Sequence, residues 1–253
     1  MAIKDRALSI IGSKPLPKSN QRTQKALLFP SNSPPLAIKQ SFPLASNAAL
    51  LHIQAAEQTL ENEVMQELLT NAVQPSFFEE LRTNQQTGYV NYTFMRKYEN
   101  VAVTTFAVQS ASHSPEELIA RYELFLEDYL RKITTHLSPE RFETIRNSLI
   151  ESYSEPPHTL DQMNYQISIE AFDYCERFSL KEEKITCAKN LTHAEVIKAA
   201  QNLFGRTNKR RLAVLIEGNS STPDMRYQII KSPRHAQHSG ELSSFMDAQI
   251  FTP

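Results

Sequence analysis

Apolar and polar residues alternate along Leu36-Ala37-Ile38 and again over Ala49 to Ala55, where Leu51, Ile53 and Ala55 fall on one side and His52 and Gln54 on the other. A repeat of two is the spacing of a strand. The period then lengthens. Behind Thr59, whose hydroxyl suits an N-cap, Leu60, Val64, Leu68 and Ala72 recur at helical spacing, with Met65, Leu69 and Val73 widening the stripe. Pro75 is expected to kink or restart this helix. Its second piece, Ser76 to about Gln86, carries Phe77, Phe78 and Leu81 on the apolar side, and Gly88 permits an abrupt exit. From Tyr89 the period is two again. Val90, Tyr92 and Phe94 share one face and Tyr89, Asn91 and Thr93 the other, which predicts a half-buried strand with its polar face, Tyr89 included, turned away from the core. The polar turn Lys97 to Asn100 and the β-branched, aromatic stretch Val101 to Gln109 complete an expected hairpin.

After Ser110 the period is helical. Ser114-Pro115-Glu116-Glu117 is a capping box with Pro at the first helical position, opening a stripe of Leu118, Tyr122, Phe125, Tyr129 and Ile133. Ser138-Pro139 opens a second helix (Phe142, Ile145, Leu149), Thr159 with Gln162 a third, and Thr192 with Glu195 a fourth. A last strand runs from Leu212 to Ile216. The order predicts an α+β fold: strands near 36–42, 47–56, 89–97, 101–110 and 211–217 in one mostly antiparallel sheet, with helices layered on one face. Residues 1–35 are expected to be a helical turn at Ala7–Ile11 and a linker, 36–218 the domain, and 219–253 a polar tail ending in Phe245, Ile250 and Phe251.

At 253 residues, 40% hydrophobic and 22% charged, the chain can fill one large core. Lys and Arg (27) nearly balance Asp and Glu (28), so the charge footprint that nucleic acid attracts is missing. No apolar run reaches the roughly 20 residues of a membrane span, and Met1 to Leu16 lacks the apolar core of a secretory signal, so a soluble chain is expected. The two cysteines, Cys175 and Cys187, are expected to be ordinary thiols, and the five scattered glycines make no phosphate loop. None of the seven histidines pairs with another at the zinc-peptidase spacing. His193-Ala194-Glu195 comes nearest, but Glu195 already belongs to a capping box, and His235 and His238 are expected to be solvated in the tail. No cofactor and no metal are therefore expected in this chain.

One segment is more specific. Phe77-Phe78-Glu79-Glu80-Leu81-Arg82-Thr83-Asn84-Gln85-Gln86-Thr87-Gly88-Tyr89 resembles the helix-to-strand junction Leu-Arg-Thr-x-x-Gln-x-Gly-Tyr of the last domain of the insulinase/pitrilysin family of inverted-motif zinc peptidases. Leu81, Arg82, Thr83, Gln86, Gly88 and Tyr89 keep the register; Thr87 stands where Leu or a similar residue is common, a change expected to alter packing more than chemistry. Val108-Gln109-Ser110, the capped helix with Phe125-Leu126, the Ser-Pro-Glu helix, the late Leu-Thr-x-x-Glu-Val helix and the closing strand are similar to that domain's order. The resemblance implies two halves of two domains each around a chamber, with zinc and a glutamate base in the first domain. The fourth would lend an Arg and a Tyr, here Arg82 and Tyr89, to a bound peptide near the metal. Asn91, on the same strand face as Tyr89, joins them as a candidate peptide contact. The resemblance thus implies a non-catalytic, peptide-enclosing domain, inactive alone, whose partners are a zinc-bearing domain or subunit and an extended peptide. A degenerate or split family member, acting as a peptide-binding or assembly subunit without protease activity, is the alternative. On the residues alone, the lesser alternative is that Arg82 favours the helix C-terminus and Tyr89 is an aromatic at the sheet edge.

Overall fold

A computed structural model of the chain describes residues 5–6, 9–10, 26–98, 101–173 and 178–218. Five strands, β1 (Leu36–Phe42), β2 (Asn47–Gln54), β3 (Val90–Tyr98), β4 (Val101–Ser110) and β5 (Arg211–Gly218), form one sheet in the order β1-β5-β2-β4-β3. Only β1 and β5 run parallel, Leu36 opposite Leu212; the other pairs are antiparallel. Cys175, His235, His238 and the terminal cluster Phe245, Ile250 and Phe251 lie outside the described residues, as do Ala7, Leu8 and Ile11.

The described helices are α1 (Leu60–Phe78), α2 (Pro115–Arg131), the single turn α3 (Ile133–His136), α4 (Pro139–Ser154), α5 (Leu160–Ser168), α6 (Leu180–Asn190) and α7 (His193–Phe204). Their starts follow the caps. The hydroxyls of Thr59, Ser114, Ser138 and Thr159 accept from the N–H groups of Asn62, Glu117, Arg141 and Gln162, and Thr192 with Glu195 forms a reciprocal capping box. Helix α6 escapes the sequence pattern because only Leu180 and Ala188 of it are buried and Ser179 gives it no side-chain cap. Pro75 does not interrupt α1. The carbonyl it leaves without a donor belongs to Asn71, and both residues sit on the exposed side, where water can serve that oxygen.

The core lies between the helices and one sheet face. Ala49, Leu51 and Ile53 of β2 and Phe106 and Val108 of β4 meet Leu68, Ala72, Phe77, Leu118 and Tyr122. Phe77 is its hub, edge-on to Phe106, Tyr122 and Phe125 at 5.0, 5.3 and 5.3 Å. Burial pushes the Tyr122 hydroxyl far above its ordinary pKa, so it stays protonated and donates to the Ala49 carbonyl at 3.1 Å.

One expectation is reversed. Register places Asn91 opposite Val108 and Thr93 opposite Phe106, so the polar side of β3 faces the core while Tyr92 and Phe94 face outward, 60% and 38% exposed. The alternation is present, but with the opposite side inward. Its partner β4 is buried along nearly its whole length and so carries no alternation that fixes the sense.

Candidate functional site

Helix α1 does not end in an ordinary turn. At Glu79–Asn84 it widens into π-helical turns, with the Gln85 N–H reaching the Glu80 carbonyl at 2.9 Å. Such widening recurs at functional sites because it re-aims the side chains it carries. The chain then reverses. Gln86 takes the left-handed conformation at φ 52°, and Thr87 folds under the helix end, its N–H and hydroxyl both donating to the Leu81 carbonyl at 2.9 and 2.8 Å. Gly88 follows where the backbone runs against β4: a Cβ there would lie 1.9 Å from the Gln109 carbonyl oxygen. Each of these devices shortens the path from helix to strand, and Tyr89 is delivered beside Arg82.

The Arg82 guanidinium stacks over the Tyr89 ring at 4.3 Å and over the Phe78 ring at 4.9 Å. Tyr89 is 81% exposed and Phe78 40%. No carboxylate pairs with Arg82 among the described residues; of its neighbours on the turn, Glu80 accepts from the Asn84 and Gln85 side-chain amides at 2.9 and 2.8 Å. Those two hydrogen bonds, Asn84's first, hold the Glu80 carboxyl below its ordinary pKa, so it remains an anion occupied by its own turn. Gln85 is fixed in turn by Arg121 of α2, whose Nη1 donates to its Oε1 at 2.8 Å.

Stacking occupies the faces of a guanidinium and leaves the N–H groups in its plane available to acceptors. The arrangement can therefore present hydrogen-bond donors, and the Tyr89 hydroxyl, to a ligand carrying carbonyl or carboxylate oxygens. Of the three residues singled out in the sequence, Arg82 and Tyr89 come together and Asn91 does not. Asn91 is 4% exposed beneath the helix layer, its amide oxygen and nitrogen unpartnered among the described residues, as is the Thr93 hydroxyl beside it. Phe78 was expected on the apolar side of α1. It lies outside the core because Phe77 and Leu81, four apart, take the buried stripe, and Phe78 and Arg82, also four apart, form the neighbouring one. That spacing was the available signal. Among the described residues, no group of three or more His, Cys, Asp or Glu side chains is placed to hold a metal, and no helix is long and apolar enough to cross a membrane.

Residues 68–168, which contain the whole junction, match the family profile of the PQQ synthase PqqF-like C-terminal lobe, domain 4. The chain is 25% identical over 179 residues to the insulin-degrading enzyme of Drosophila melanogaster, covering 71% of this chain and 18% of that protein. It is 30% identical over 125 residues to Protease 3 of Salmonella typhi, covering 49% of this chain and 13% of that protein. The crystal structure of pitrilysin superposes on 89% of the chain with a TM-score of 0.70 at 18% identity. In sequence and in fold the chain is similar to a C-terminal-type domain of the insulinase/pitrilysin family. Fold likeness extends to a Helicobacter pylori protease, at a TM-score of 0.63 and 9% identity over 82% of this chain and 48% of that one. The chain spans under a fifth of the two curated insulinase/pitrilysin relatives, and about a quarter of pitrilysin itself.

Proposed function

We propose that this insulinase-type domain closes over an extended peptide at the zinc of a companion domain, with Arg82 and Tyr89 donating hydrogen bonds to the peptide's carbonyl oxygens. The observation that carries this reading is the stacked pair itself: a guanidinium held at 4.3 Å over an exposed Tyr ring, on a junction built to bring them together. A carbonyl oxygen attacked at a metal gains negative charge, and a phenol and a guanidinium are donors whose hydrogen bonds strengthen as it does. Phe78 supports the guanidinium from its other side. Asn91 is assigned to the interior of the strand behind Tyr89, where its burial keeps it from the peptide. Zinc chemistry is supplied by the companion; this chain binds and orients.

The test is steady-state kinetics of the reconstituted enzyme. Losing one oxyanion donor costs about 2.7 to 4 kcal/mol in the transition state, so Tyr89→Phe is expected to lower kcat about a hundredfold or more with KM changed far less. Arg82→Ala is expected to raise KM, since its donors also hold ground-state carbonyls. Unchanged kcat and KM in both variants, with folding and assembly intact, would sink the reading and leave a peptide-binding or assembly subunit in its place.

A further inference from the structure

The widened end of α1 has a second side. Ser76 and Glu80, Phe77 and Leu81, and Phe78 and Arg82 form three neighbouring stripes, each a pair four residues apart; the middle one enters the core and the third carries the stacked guanidinium. The first faces α2 and α3 across a cleft of about 540 Å³. Three carboxylates line it, Glu79 and Glu80 from the turn and Asp128 from α2, against one ammonium, that of Lys132. Glu80 and Asp128 are near enough for the Asp128 charge to oppose the two side-chain amides that keep Glu80 ionised.

Two features set this cleft apart from a solvated acidic surface. The first is a hydroxyl. Tyr129, which lines the cleft, is 1% exposed, and its hydroxyl has no hydrogen-bond partner among the described residues, whereas the equally buried Tyr122 two turns earlier donates to the Ala49 carbonyl. Burial pushes the Tyr129 pKa up to about 12, so the group is neutral and its acceptor lone pairs are unused, a costly state for a buried hydroxyl. The second is aromatic. The His136 ring stacks on that of Tyr129 at 4.9 Å, the Phe125 ring lies 5.8 Å from it, and Leu124, 60% exposed, adds an apolar wall. Carboxylates beside aromatic faces are the surroundings that hold an organic cation. Asp128 pairs with Arg131 and, at 2.8 Å, with Lys132, both exposed, and exposed pairs of this spacing are weak enough to yield to a ligand.

We propose that this cleft binds an organic cation, a guanidinium or primary ammonium group on a short apolar stem, with Glu80 and Asp128 as its counter-charges and the Tyr129 hydroxyl accepting from one of its N–H groups. A volume of about 540 Å³ lies within the range of small-molecule sites. A planar guanidinium with five donors can reach two carboxylates and a hydroxyl at once, while among the described residues no three ligating side chains converge as a metal ion would require. The head group can belong to a free amine or to a basic side chain of a peptide. Nothing in the site depends on the zinc-bearing companion.

The test is titration of the full chain, followed by calorimetry and amide NMR shifts, with N-acetylarginine amide, agmatine and the neutral isostere N-acetylcitrulline amide. The arginine amide is expected to bind with a Kd of about 1 mM or tighter, and the citrulline amide at least about tenfold more weakly. Tighter binding of the arginine amide than of agmatine would assign the site to a peptide side chain, and the reverse to a free amine; either result supports the cation site. The double variant Glu80→Gln, Asp128→Asn should abolish measurable binding. Because that change can also loosen the turn, Tyr129→Phe is the decisive variant. It removes only the hydroxyl, so the thermal midpoint of the unliganded chain should hold or rise while affinity for the arginine amide falls about tenfold. Affinity untouched by Tyr129→Phe would overturn the proposal, as would equal binding of the arginine and citrulline amides, or no saturable binding up to about 20 mM.

Discussion

The two ends of α1 handle charge in opposite ways. At its start, buried Glu63 lies between two ammonium groups, Lys184 of α6 at 2.7 Å and Lys97 of β3 at 3.1 Å, while Glu67 one turn on accepts the Tyr153 hydroxyl at 2.6 Å. At its widened end, Arg82 meets two aromatic rings. Strand β3 runs beside the helix and serves both, Lys97 at one end and, just before its first residue, Tyr89 at the other. The difference follows from solvent. A carboxylate taken out of water needs its counter-charges in place, so the first end is a lock among three elements. A half-exposed guanidinium can be positioned by stacking alone, which leaves its donors for something that arrives later.

The comparison breaks most readily at the lock. Glu63→Ala leaves two lysines, each largely buried, without their shared anion, and removing one member of such a group costs about 3 kcal/mol, toward the low end of the usual range because both ammonium groups can still turn to water. Denaturant titration should show the loss as a fall in midpoint with little change in slope; a loss below about 1 kcal/mol would mean that the cluster is a solvated surface arrangement. At the other end the sensitive atom is on the backbone. Gly88→Ala sets a methyl 1.9 Å from the Gln109 carbonyl oxygen, and since neither strand can yield without parting β3 from β4, overpacking of about 2 kcal/mol is expected, with Tyr89 displaced from Arg82. Loss of turnover in the reconstituted enzyme beyond what the stability change explains would separate positioning from folding.

What the sequence disclosed is what local rules govern. The caps at Thr59, Ser114, Ser138, Thr159 and Thr192 stand where a hydroxyl precedes an apolar stripe, and the strands stand where the sequence alternates or is rich in β-branched and aromatic residues. The Arg82 and Tyr89 pair was legible because the register from Leu81 to Tyr89 is itself short-range. The inward side of β3 was not, because alternation fixes two faces without saying which one a helix layer covers; that is decided by the pairing with β4, at the register Thr93–Phe106 and Asn91–Val108. The same ambiguity hid the apolar row of Ile38, Val214, Leu50, Ala107 and Tyr92 on the sheet's other face, which joins residues as distant as Ile38 and Val214. Helix α6 was hidden for a different reason: it buries only Leu180 and Ala188, too few to make an apolar stripe, and an ion pair across elements such as Lys184–Glu63 leaves no periodic mark.

The mildest perturbation probes how firmly the widened end is held. Thr87 occupies a position where a larger apolar residue would serve packing alone, and here it is fully enclosed with its hydroxyl on the Leu81 carbonyl at 2.8 Å. That carbonyl also accepts the Thr87 N–H at 2.9 Å, so Thr87→Val, which keeps the shape and removes only the hydroxyl, leaves the acceptor with one donor. The net cost is about 1 kcal/mol, and for a chain of this size a loss of that order lowers the thermal midpoint by about 2 to 4 °C. Kinetics should not move, because the remaining main-chain bond and the Gly88 contact with β4 still fix where Tyr89 emerges. A drop in kcat matching that of Tyr89→Phe would instead make the Thr87 hydroxyl the device that aims Tyr89, and the junction would then depend on a side chain where its geometry points to the backbone.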